Sequence, residues 1–381
     1  MVTAGTDIGD GTGLPATPAD AGFFMPPEWW PHECCWMAWP CRNESWRDIE
    51  AARDGVARVA REIAHREPVK MIAPPALAAD AWRHLAGPDA GRPRLDLVRD
   101  IELLGAADLP IPGFDMELVP MPTDDSWTRD TAPTFLVDGH GRLAGVGWRF
   151  NAYGGLYQDY AETAEMAGRI LEHVGVRQFD GPIVLEGGAL HTDGEGTLLT
   201  TAEVVLDPRR NPGLTKENAE EVFRDYLGVR RVIWLRAALE SDNTGGHVDN
   251  LACFAAPGVV VALSEVDRLD PQYEALQENV GRLRASRDAR DRPLEVIELR
   301  QPAHRERDGR RLSPSYVNFY LADGAVIVPA FGDPMDERAR GTLAVVFPQR
   351  EIVQLPTIEL AGADGNVHCI TQQQPRTDAA G

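Results

Sequence analysis

The clearest chemical signal in the sequence is a cysteine within the segment "GNVHCITQQQP", residues 365–375. Cys369 directly follows a histidine, and three glutamines come shortly after it. A cysteine that only fills space usually lies among apolar residues, whereas polar neighbours are typical of a thiol that reacts. The segment therefore has the composition expected of one organised around its thiol.

A second motif, "GGHVDN", pairs a histidine with a carboxylate. His247 and Asp249 are two residues apart, so on an extended strand both side chains point to the same face. Such a pair can move a proton and bind a cation. An HxD pair can equally just begin a strand, and the motif alone does not separate these interpretations. A metal site that adds His191 or His368 is less favoured, because no third ligand has a familiar spacing.

The charge balance limits the partners that the chain can bind. Lysine and arginine number 38 against 59 aspartates and glutamates, which gives a formal net charge of −21 at pH 7. Long-range repulsion of that sign opposes nucleic acid and anionic membrane surfaces, and it favours a small cationic ligand. We therefore predict a small-molecule partner, no nucleic-acid or membrane partner, no metal and no other cofactor.

The first residues and the cysteines indicate the cellular setting. Residues 1–22 lack the basic and apolar regions of a secretory signal and are predicted to form a disordered leader. Five cysteines without a CxxC spacing argue against a disulfide framework and a zinc site. Cys253 alternates with apolar neighbours, and Cys34 and Cys35 lie in a hydrophobic strand, so we expect these three in the core. The sequence thus predicts a cytoplasmic protein with free thiols.

Amphipathic helices recur along the chain. Helical periodicity runs through residues 43–68, 159–175 and 215–229, and the last two ranges contain a glycine suited to the position after a helix. Two more helices are predicted to begin at Asp270–Pro271 and Asp333–Pro334, where the aspartate can cap the helix and the proline can take its first position.

Between the helices lie pairs of apolar strands joined by tight turns. The turns centre on Gly139, Gly194, Gly258 and Gly324, at intervals of 55, 64 and 66 residues. This spacing indicates four topological repeats of hairpin, helix and strand. A polar motif precedes each hairpin: "SWTRD", "LEGG", "GGHVDN" and "SYVN". In a ring of such repeats, these motifs and "GNVHC" would face one central cavity.

Taken together, the motifs resemble those of the agmatine deiminase family, which is related to peptidylarginine and arginine deiminases. The resemblance rests on "MPPEWWPHECCWMAWP", "DDSWTRDTAPTF", "LEGGALHTDGEGTLLTT", "GGHVDNLACF", "SYVNFYLADGAVIVPAFGDP" and "GNVHCITQQQP", which follow one another between about residues 25 and 375. It implies an α/β pentein fold, a five-bladed propeller of pseudo-symmetric ββαβ units around a central active site. The fifth unit would combine the "CWMAWP" strand with the "HCITQQ" strand.

The resemblance also implies the extent of the catalytic unit and its assembly. A single catalytic domain would cover residues 23–375, followed by a flexible tail over 376–381. The relatives suggest a homodimer, on which the sequence itself is silent.

The family's catalytic roles fall on five residues of this chain. Cys369 would attack the guanidinium carbon, ammonia would leave, and water would cleave the amidino-thioether intermediate. His247 would protonate the ammonia and then activate the water, with Glu186 orienting the imidazole. Asp249 and Asp130 would grip the two sides of the planar cation.

Other residues are predicted to shape the pocket around the rest of the substrate. Trp127 can stack on the cation or belong to the core, and Asn366 is expected to shape the loop that presents the thiol. Asp124 and Asp125 would form an acidic rim that suits the amine of agmatine. Because no arginine is evident that would receive a carboxylate, free arginine is expected to be the poorer substrate.

The chain departs from the family pattern at positions around the substrate tail. Tyr153 stands where family members usually carry tryptophan, Gly245 stands where they have an acid or amide, and the segment after "GGLY" is shorter and less acidic. These departures leave deimination in place and make the guanidine substrate the open question.

Three functions remain compatible with these residues. The first is hydrolysis of agmatine, or of another small cationic guanidine, to a ureido product and ammonia. The second is an amidinotransferase on the same fold, in which an amine resolves the intermediate. The third is a catalytically silent polyamine- or guanidine-binding module, which is disfavoured because every catalytic position is filled.

Overall fold

A computed structural model describes residues 16–87, 108–240 and 242–378, and shows a mixed α/β chain. The leader predicted over 1–22 and the tail predicted over 376–381 lie partly outside these ranges, so both boundaries remain predictions. Within the described ranges, no helix is both long and apolar enough to cross a membrane.

The strands are mostly short, with two to eight residues each. In chain order they are β1 (His32–Ala38), β2 (Val69–Ala73), β3 (Leu109–Pro110), β4 (Met116–Pro120), β5 (Thr134–Val137), β6 (Leu143–Arg149), β7 (Arg177–Val184), β8 (His191–Thr192), β9 (Thr197–Thr201), β10 (Arg231–Leu235), β11 (Ala252–Ala256), β12 (Val259–Ser264), β13 (Glu295–Arg300), β14 (Glu306–Arg307), β15 (Arg310–Arg311), β16 (Tyr320–Ala322), β17 (Ala325–Ala330), β18 (Glu351–Pro356) and β19 (Gln372–Pro375).

The helices of the described ranges include long amphipathic ones and single turns. They are α1 (Ile49–Ala64), α2 (Ala78–Ala86), α3 (Thr128–Thr131), α4 (Ala161–Ala164), α5 (Met166–Val174), α6 (Ala202–Val205), α7 (Lys216–Leu227), α8 (Tyr273–Ala285), α9 (Met335–Val346) and α10 (Ile358–Ala361). Four 3₁₀ turns cover Asn43–Ser45, Pro75–Leu77, Gly187–Ala189 and Val248–Asn250, and Ala152–Gly155 forms a left-handed turn.

Four three-stranded sheets share one topology. In each, two strands form an antiparallel hairpin, a helix follows, and the next strand returns parallel to the second: β5-β6-β7, β8-β9-β10, β11-β12-β13 and β16-β17-β18. The predicted hairpins are confirmed, and all four of their turn glycines have φ between 68° and 79°. That left-handed backbone favours glycine, because glycine has no Cβ to clash with the neighbouring carbonyl.

A fifth unit of the same topology is assembled from both ends of the described chain. β1 pairs antiparallel with β19, with Cys35 opposite Gln373, and β2 follows α1 and pairs parallel with β1. β4 and β3 extend this sheet to five strands. The predicted pairing of the "CWMAWP" and "HCITQQ" segments is therefore confirmed.

Some predicted helix starts are wrong by a few residues. The helix predicted at Asp270–Pro271 begins only at Tyr273, because Asp270 Oδ1 accepts the Gln272 amide in a preceding turn, 2.9 Å away. Similarly, Asp333 Oδ1 accepts the Met335 amide at 2.8 Å, and the proline between them precedes the first helical residue.

Each polar motif lies just before the first strand of its unit. α3 contacts the 3₁₀ turn Gly187–Ala189, which in turn contacts the 3₁₀ turn Val248–Asn250. The expectation that His247 and Asp249 share an extended strand is wrong, since β11 begins only at Ala252. Both side chains still face one site, because the tight 3₁₀ turn after His247 brings Asp249 back beside it.

The apolar core contains the three cysteines that the sequence placed there. Cys34, Cys35 and Cys253 are between 0% and 4% exposed, and Cys253 packs beside Val261 and Phe319. Burial raises the pKa of each of these thiols, so they stay neutral. The prediction that these three cysteines belong to the packed core is therefore confirmed.

We expect Cys253→Ser to lower the free energy of unfolding by about 1–3 kcal/mol, because a hydroxyl without a hydrogen-bond partner is costly in an apolar core. Urea denaturation followed by circular dichroism measures the change. Cys41→Ser is the matched control, since Cys41 is partly exposed and already lies near the Thr123 carbonyl. An equal loss in both variants would contradict the packing role.

Candidate active site

Two of the polar motifs, "SWTRD" and "GNVHC", line a cavity of about 510 Å³, whereas Glu186, His247 and Asp249 are buried and are not among its lining residues. Cys369, Asp130 and Trp127 line it, together with Asp125 and Tyr153. Segments of different units thus supply a thiol, carboxylates and aromatic side chains to one cavity.

The Cys369 thiol lies at the wall of this cavity with only 3% of the residue exposed. Its Sγ is 3.5 Å from Asp249 Oδ2, and the Asn318 side-chain amide donates to it at 3.2 Å. The Cys369 carbonyl accepts the Arg129 amide at 3.1 Å, which ties the cysteine segment to α3. The thiol is therefore held in place by three other segments of the chain.

Burial raises the pKa of the Cys369 thiol well above its ordinary value, and the nearby Asp249 and Asp130 carboxylates raise it further. In the absence of a ligand the sulfur is consequently neutral at physiological pH. A cation bound between the two carboxylates would oppose both effects and favour the thiolate.

His247 lies between two carboxylates. Its Nδ1 is 3.5 Å from Asp130 Oδ1 and its Nε2 is 3.5 Å from Glu186 Oε2. Burial lowers the pKa of the imidazole, but Asp130, Glu186 and Asp249 outweigh it and raise the pKa to about 9. The imidazole is therefore a cation at neutral pH, and neither ring nitrogen is engaged in a hydrogen bond.

Glu186 is fully buried and is held by a second cation. Arg210 Nε donates to both of its carboxylate oxygens, at 2.9 and 3.0 Å. Although burial alone would raise the pKa of Glu186, His247 and Arg210 keep it below its usual value. Glu186 is thus an ionised partner of His247.

Asp130 connects the His247 imidazole with the aromatic wall of the cavity. Its Oδ1 accepts the Gly188 amide at 3.0 Å and its Oδ2 accepts the Tyr153 hydroxyl at 2.9 Å. Burial raises the pKa of this carboxyl to about 6, a rise that His247 opposes. Tyr153 has φ of 57°, so a strained left-handed turn presents its hydroxyl to Asp130.

Asp249 Oδ2 accepts from His368 Nδ1 at 2.9 Å, whereas Asp249 Oδ1 is buried and has no hydrogen-bond partner among the described residues. Behind it, His368 Nε2 lies 2.8 Å from Glu28 Oε1, and Arg129 donates to the same oxygen at 3.2 Å. Burial raises the pKa of Asp249, but His368 and His247 hold it below its usual value. Asp249 is therefore ionised, with one oxygen available to a ligand.

Gly188 allows these groups to come this close together. A Cβ at this position would lie 2.7 Å from His247 Nδ1, 2.8 Å from Asp130 Oδ1 and 2.9 Å from Asp249 Oδ2. Only a residue without a side chain fits among the three.

Trp127 and Asp125 are two further predicted pocket residues that line the cavity. Trp127 lines the cavity and stacks on Trp46, with ring centroids 5.0 Å apart, and the ring also packs against the backbone of Gly365. Asp125 lines the cavity and accepts the Tyr157 hydroxyl at 3.0 Å, and burial raises its pKa to about 6.

Two predicted pocket residues have other contacts. Asp124 is not among the residues that line the cavity, and its carboxylate accepts the Glu162 amide at the start of α4, 2.8 Å away. Asn366 Oδ1 accepts the Thr357 hydroxyl at 2.7 Å and the Val367 amide at 3.0 Å. Asn366 thus braces the loop before Cys369 and does not itself line the cavity.

The expectation that no arginine is near the substrate tail is wrong. Arg42, Arg47 and Arg310 all line the cavity. Each has an acidic partner: Arg42 lies 3.7 Å from Asp125, Arg47 lies 3.0 Å from Asp308, and Arg310 pairs with Asp364. These arginines come from segments distant in sequence from the acidic motif, so no local pattern predicted their position.

Within the described ranges, no cluster of three or more histidine, cysteine, aspartate or glutamate side chains could hold a metal ion. The groups that surround Cys369 instead pair carboxylates with arginine and histidine cations.

Sequence reasoning missed several contributors to the site. Asn318 ends the "SYVN" motif and His368 directly precedes Cys369, so both had a positional signal. Glu28 lies in "MPPEWW", whose only signal was family resemblance, and Arg210 had no recognisable motif. The partner of a buried charge is determined by tertiary contacts, so no periodic pattern in the sequence identifies it.

Comparisons with known proteins agree with this geometry. A family model described as Porphyromonas-type peptidyl-arginine deiminase matches residues 24–375. The agmatine deiminase of Stutzerimonas stutzeri is 41% identical, over 96% of this chain and 98% of that protein. The agmatine deiminase of Pseudomonas aeruginosa is 40% identical, over 94% and 97%.

A solved structure of agmatine deiminase from Enterococcus faecalis superposes with a TM-score of 0.86 at 33% identity, covering 96% of this chain and 99% of that one. Matches of this extent include every motif that meets at the cavity. The chain therefore belongs to the Porphyromonas-type peptidyl-arginine deiminase family, together with the agmatine deiminases.

Proposed function

We propose that this protein is an agmatine deiminase, which hydrolyses agmatine to N-carbamoylputrescine and ammonia through a covalent intermediate on Cys369. The observation that carries the proposal is the position of the thiol in the cavity wall, 3.5 Å from the ionised Asp249 and close to Asp130. The names of the full-length relatives support agmatine as the substrate.

The two carboxylates provide a binding site for a planar cation. Asp249 Oδ1 has no other partner, and Asp130 lines the same cavity as the thiol. A guanidinium held on both sides by carboxylates would present the face of its carbon to Sγ. The structure thus supports attack on the face of the substrate.

The carboxylates near the thiol are paired with cations: Glu28, Asp130, Glu186 and Asp249 with Arg129, Arg210, His247 and His368, with Arg210 also shared by Asp207. An added guanidinium contributes one positive charge to this paired set, and loss of the thiol proton to solvent offsets it. The substrate therefore favours the ionisation of its own nucleophile.

The subsequent steps use His247 as acid and then as base. The thiolate forms a bond to the guanidinium carbon, His247 donates its proton to the departing nitrogen, and ammonia leaves. The neutral imidazole then takes a proton from water as the oxygen adds to the amidino-thioether carbon. Expulsion of the thiolate completes hydrolysis, with Glu186 holding the imidazole in place.

We also propose an architecture, a cellular location and an assembly for this protein. Five units of ββαβ topology, one of them split between β1 and β19, support a five-bladed pentein propeller within a single domain over residues 23–375. We further propose a cytoplasmic homodimer that acts in putrescine biosynthesis, on the basis of the family alone.

Cys369→Ser is expected to reduce turnover of agmatine more than about a thousandfold, because a serine hydroxyl has no accessible anion at neutral pH. Ammonia release without any added amine acceptor is the measurement, and it also separates hydrolysis from amidino transfer. Cys253→Ser, which alters a thiol outside the cavity, is the control and retains turnover. Steady-state activity of Cys369→Ser above contamination would falsify the covalent mechanism.

The pH dependence of kcat/KM is expected to be bell-shaped. Asp130, with a pKa of about 6, loses its negative charge as the pH falls through that value, and His247, with a pKa of about 9, loses its proton as the pH rises through that value. Activity for agmatine should therefore be highest between the two limits and fall on both sides.

The variant Tyr153→Phe tests whether Asp130 sets the acid limb of this pH profile. It removes a hydrogen-bond donor from Asp130, so the acid limb should move to higher pH. Tyr157→Phe is the matched control, because its hydroxyl donates to Asp125 instead. An acid limb that does not move in Tyr153→Phe, or that moves equally in both variants, would show that Asp130 does not set it.

Agmatine is expected to be at least about tenfold better than free arginine in kcat/KM, a difference of about 1.4 kcal/mol. The arginines at the cavity wall are already paired with acids, so a substrate carboxylate would have to displace Asp125, Asp308 or Asp364. The comparison uses agmatine, arginine and a peptidyl arginine at equal ionic strength. Equal values for agmatine and arginine would overturn agmatine as the preferred substrate; turnover of only another alkylguanidine would leave the deiminase chemistry and change its substrate.

A further inference from the structure

His368 is a second buried histidine of the site, directly before the nucleophile in sequence. Both of its ring nitrogens face carboxylates: Nδ1 lies 2.9 Å from Asp249 Oδ2 and Nε2 lies 2.8 Å from Glu28 Oε1. An ionised carboxylate only accepts hydrogen bonds, so both nitrogens must carry a proton. With Asp249 and Glu28 both ionised, these two short contacts are those of an imidazolium.

His247 differs from His368 in how firmly it is held. Its nitrogens lie 3.5 Å from Asp130 and Glu186 and make no hydrogen bond. Charge-assisted hydrogen bonds as short as those of His368 are the stronger kind. His247 can thus release its proton during a reaction, whereas His368 keeps its charge in place.

His191 provides a second contrast, because it also faces Glu28. Its Nε2 lies 3.4 Å from Glu28 Oε2, and its ring stacks on that of His368 with centroids 6.4 Å apart. However, its Nδ1 accepts the Phe254 amide at 3.2 Å and so carries no proton. His191 therefore matches His368 in type, in burial and in facing Glu28, but its second ring nitrogen accepts a backbone amide where that of His368 faces Asp249.

The contacts of Asp249 show what the imidazolium achieves. His368 holds Oδ2, which leaves Oδ1 buried and without a partner in the part of the chain that the structure describes. A buried carboxylate with no cation would take up a proton, and a protonated Asp249 could not grip a guanidinium. The contact of His368 with Oδ2 therefore keeps the Asp249 carboxylate ionised and fixes the direction in which Oδ1 points.

Other charged and titratable groups also face this pair from several elements. They are Asp130, Arg129, His247, Asp242, Cys253 and Cys369. Arg129 disfavours the charge on His368, while Glu28 and Asp249 favour it. The balance of these groups leaves His368 as the cation in direct contact with Asp249.

We infer that His368 is a positioning residue, a permanent imidazolium clamped between Glu28 and Asp249 that keeps Asp249 ionised and aims its free oxygen at the substrate guanidinium. The inference rests on the proposed deiminase function and adds a second histidine with a role distinct from that of His247. Glu28 binds the imidazolium through the ring nitrogen that does not contact Asp249.

The test compares His368→Gln with His191→Gln in pH profiles of kcat/KM for agmatine. Without its cation, Asp249 ionises only at higher pH, so the acid limb of His368→Gln should move upward. Near about pH 6.5, we expect kcat/KM of His368→Gln to be lower than that of the unmodified protein by roughly a hundredfold. This deficit should shrink by about tenfold for each pH unit as the pH rises towards the new limit. His191→Gln should keep the acid limb of the unmodified protein.

Two results would overturn the inference. A loss by one constant factor at every pH in His368→Gln would indicate a structural role only. An equal shift of the acid limb in His191→Gln would show that the effect belongs to the surroundings of Glu28 rather than to His368.

A second measurement needs no variant and no turnover. In the isotopically labelled, unaltered protein, the ring nitrogens of His368, assigned through its backbone, should both show the imidazolium signal in NMR near about pH 8, above the ordinary histidine pKa of about 6.5. A neutral ring there would exclude the clamp even if His368→Gln does not fold. Absence of agmatine turnover in the unaltered protein would instead reject the proposed function and leave this result intact.

Discussion

The structure depends on the cost of burying carboxylates. Glu28, Asp130, Glu186 and Asp249 are all at most 6% exposed, and an ion without a partner in such surroundings would take up a proton or destabilise the fold. Each of them lies close to an arginine or a histidine. Arg129, Arg210, His247 and His368 are engaged in these pairs, while burial and the carboxylates of Asp249 and Asp130 keep the pKa of the Cys369 thiol raised, so a bound cation would favour its ionisation.

The fold meets this requirement by bringing strand starts from separate units to one place. α3 supplies Asp130 and the 3₁₀ turn Val248–Asn250 supplies Asp249, while the segment before β19 supplies the thiol. Each side chain is set on a tight turn anchored by a sheet, which limits its freedom more than a long loop would. Gly188 then permits an approach that any side chain would block. Rigid turns and a missing Cβ together produce the close packing of like charges.

Prediction from sequence succeeded where the signal was local. The turns at Gly139, Gly194, Gly258 and Gly324 follow from the need for a left-handed backbone in a hairpin, and the four hairpins are as predicted. Prediction failed where an assumed local geometry was replaced by another: the segment around Asp249 is a 3₁₀ turn instead of a strand. It also failed for Asp124, whose carboxylate caps α4 rather than facing the cavity.

The sequence by itself determined the repeat of hairpins and helices, and the types of residue available for chemistry: a thiol in a polar segment, an HxD motif and an excess of acid. Only the tertiary structure decided which charges meet. Glu28 and His368 are 340 residues apart, and Arg42, Arg47 and Arg310 reach the cavity from distant segments. The physical reason is that turn and helix preferences act over a few residues, whereas the pairing of buried charges depends on which segments the packed units place side by side.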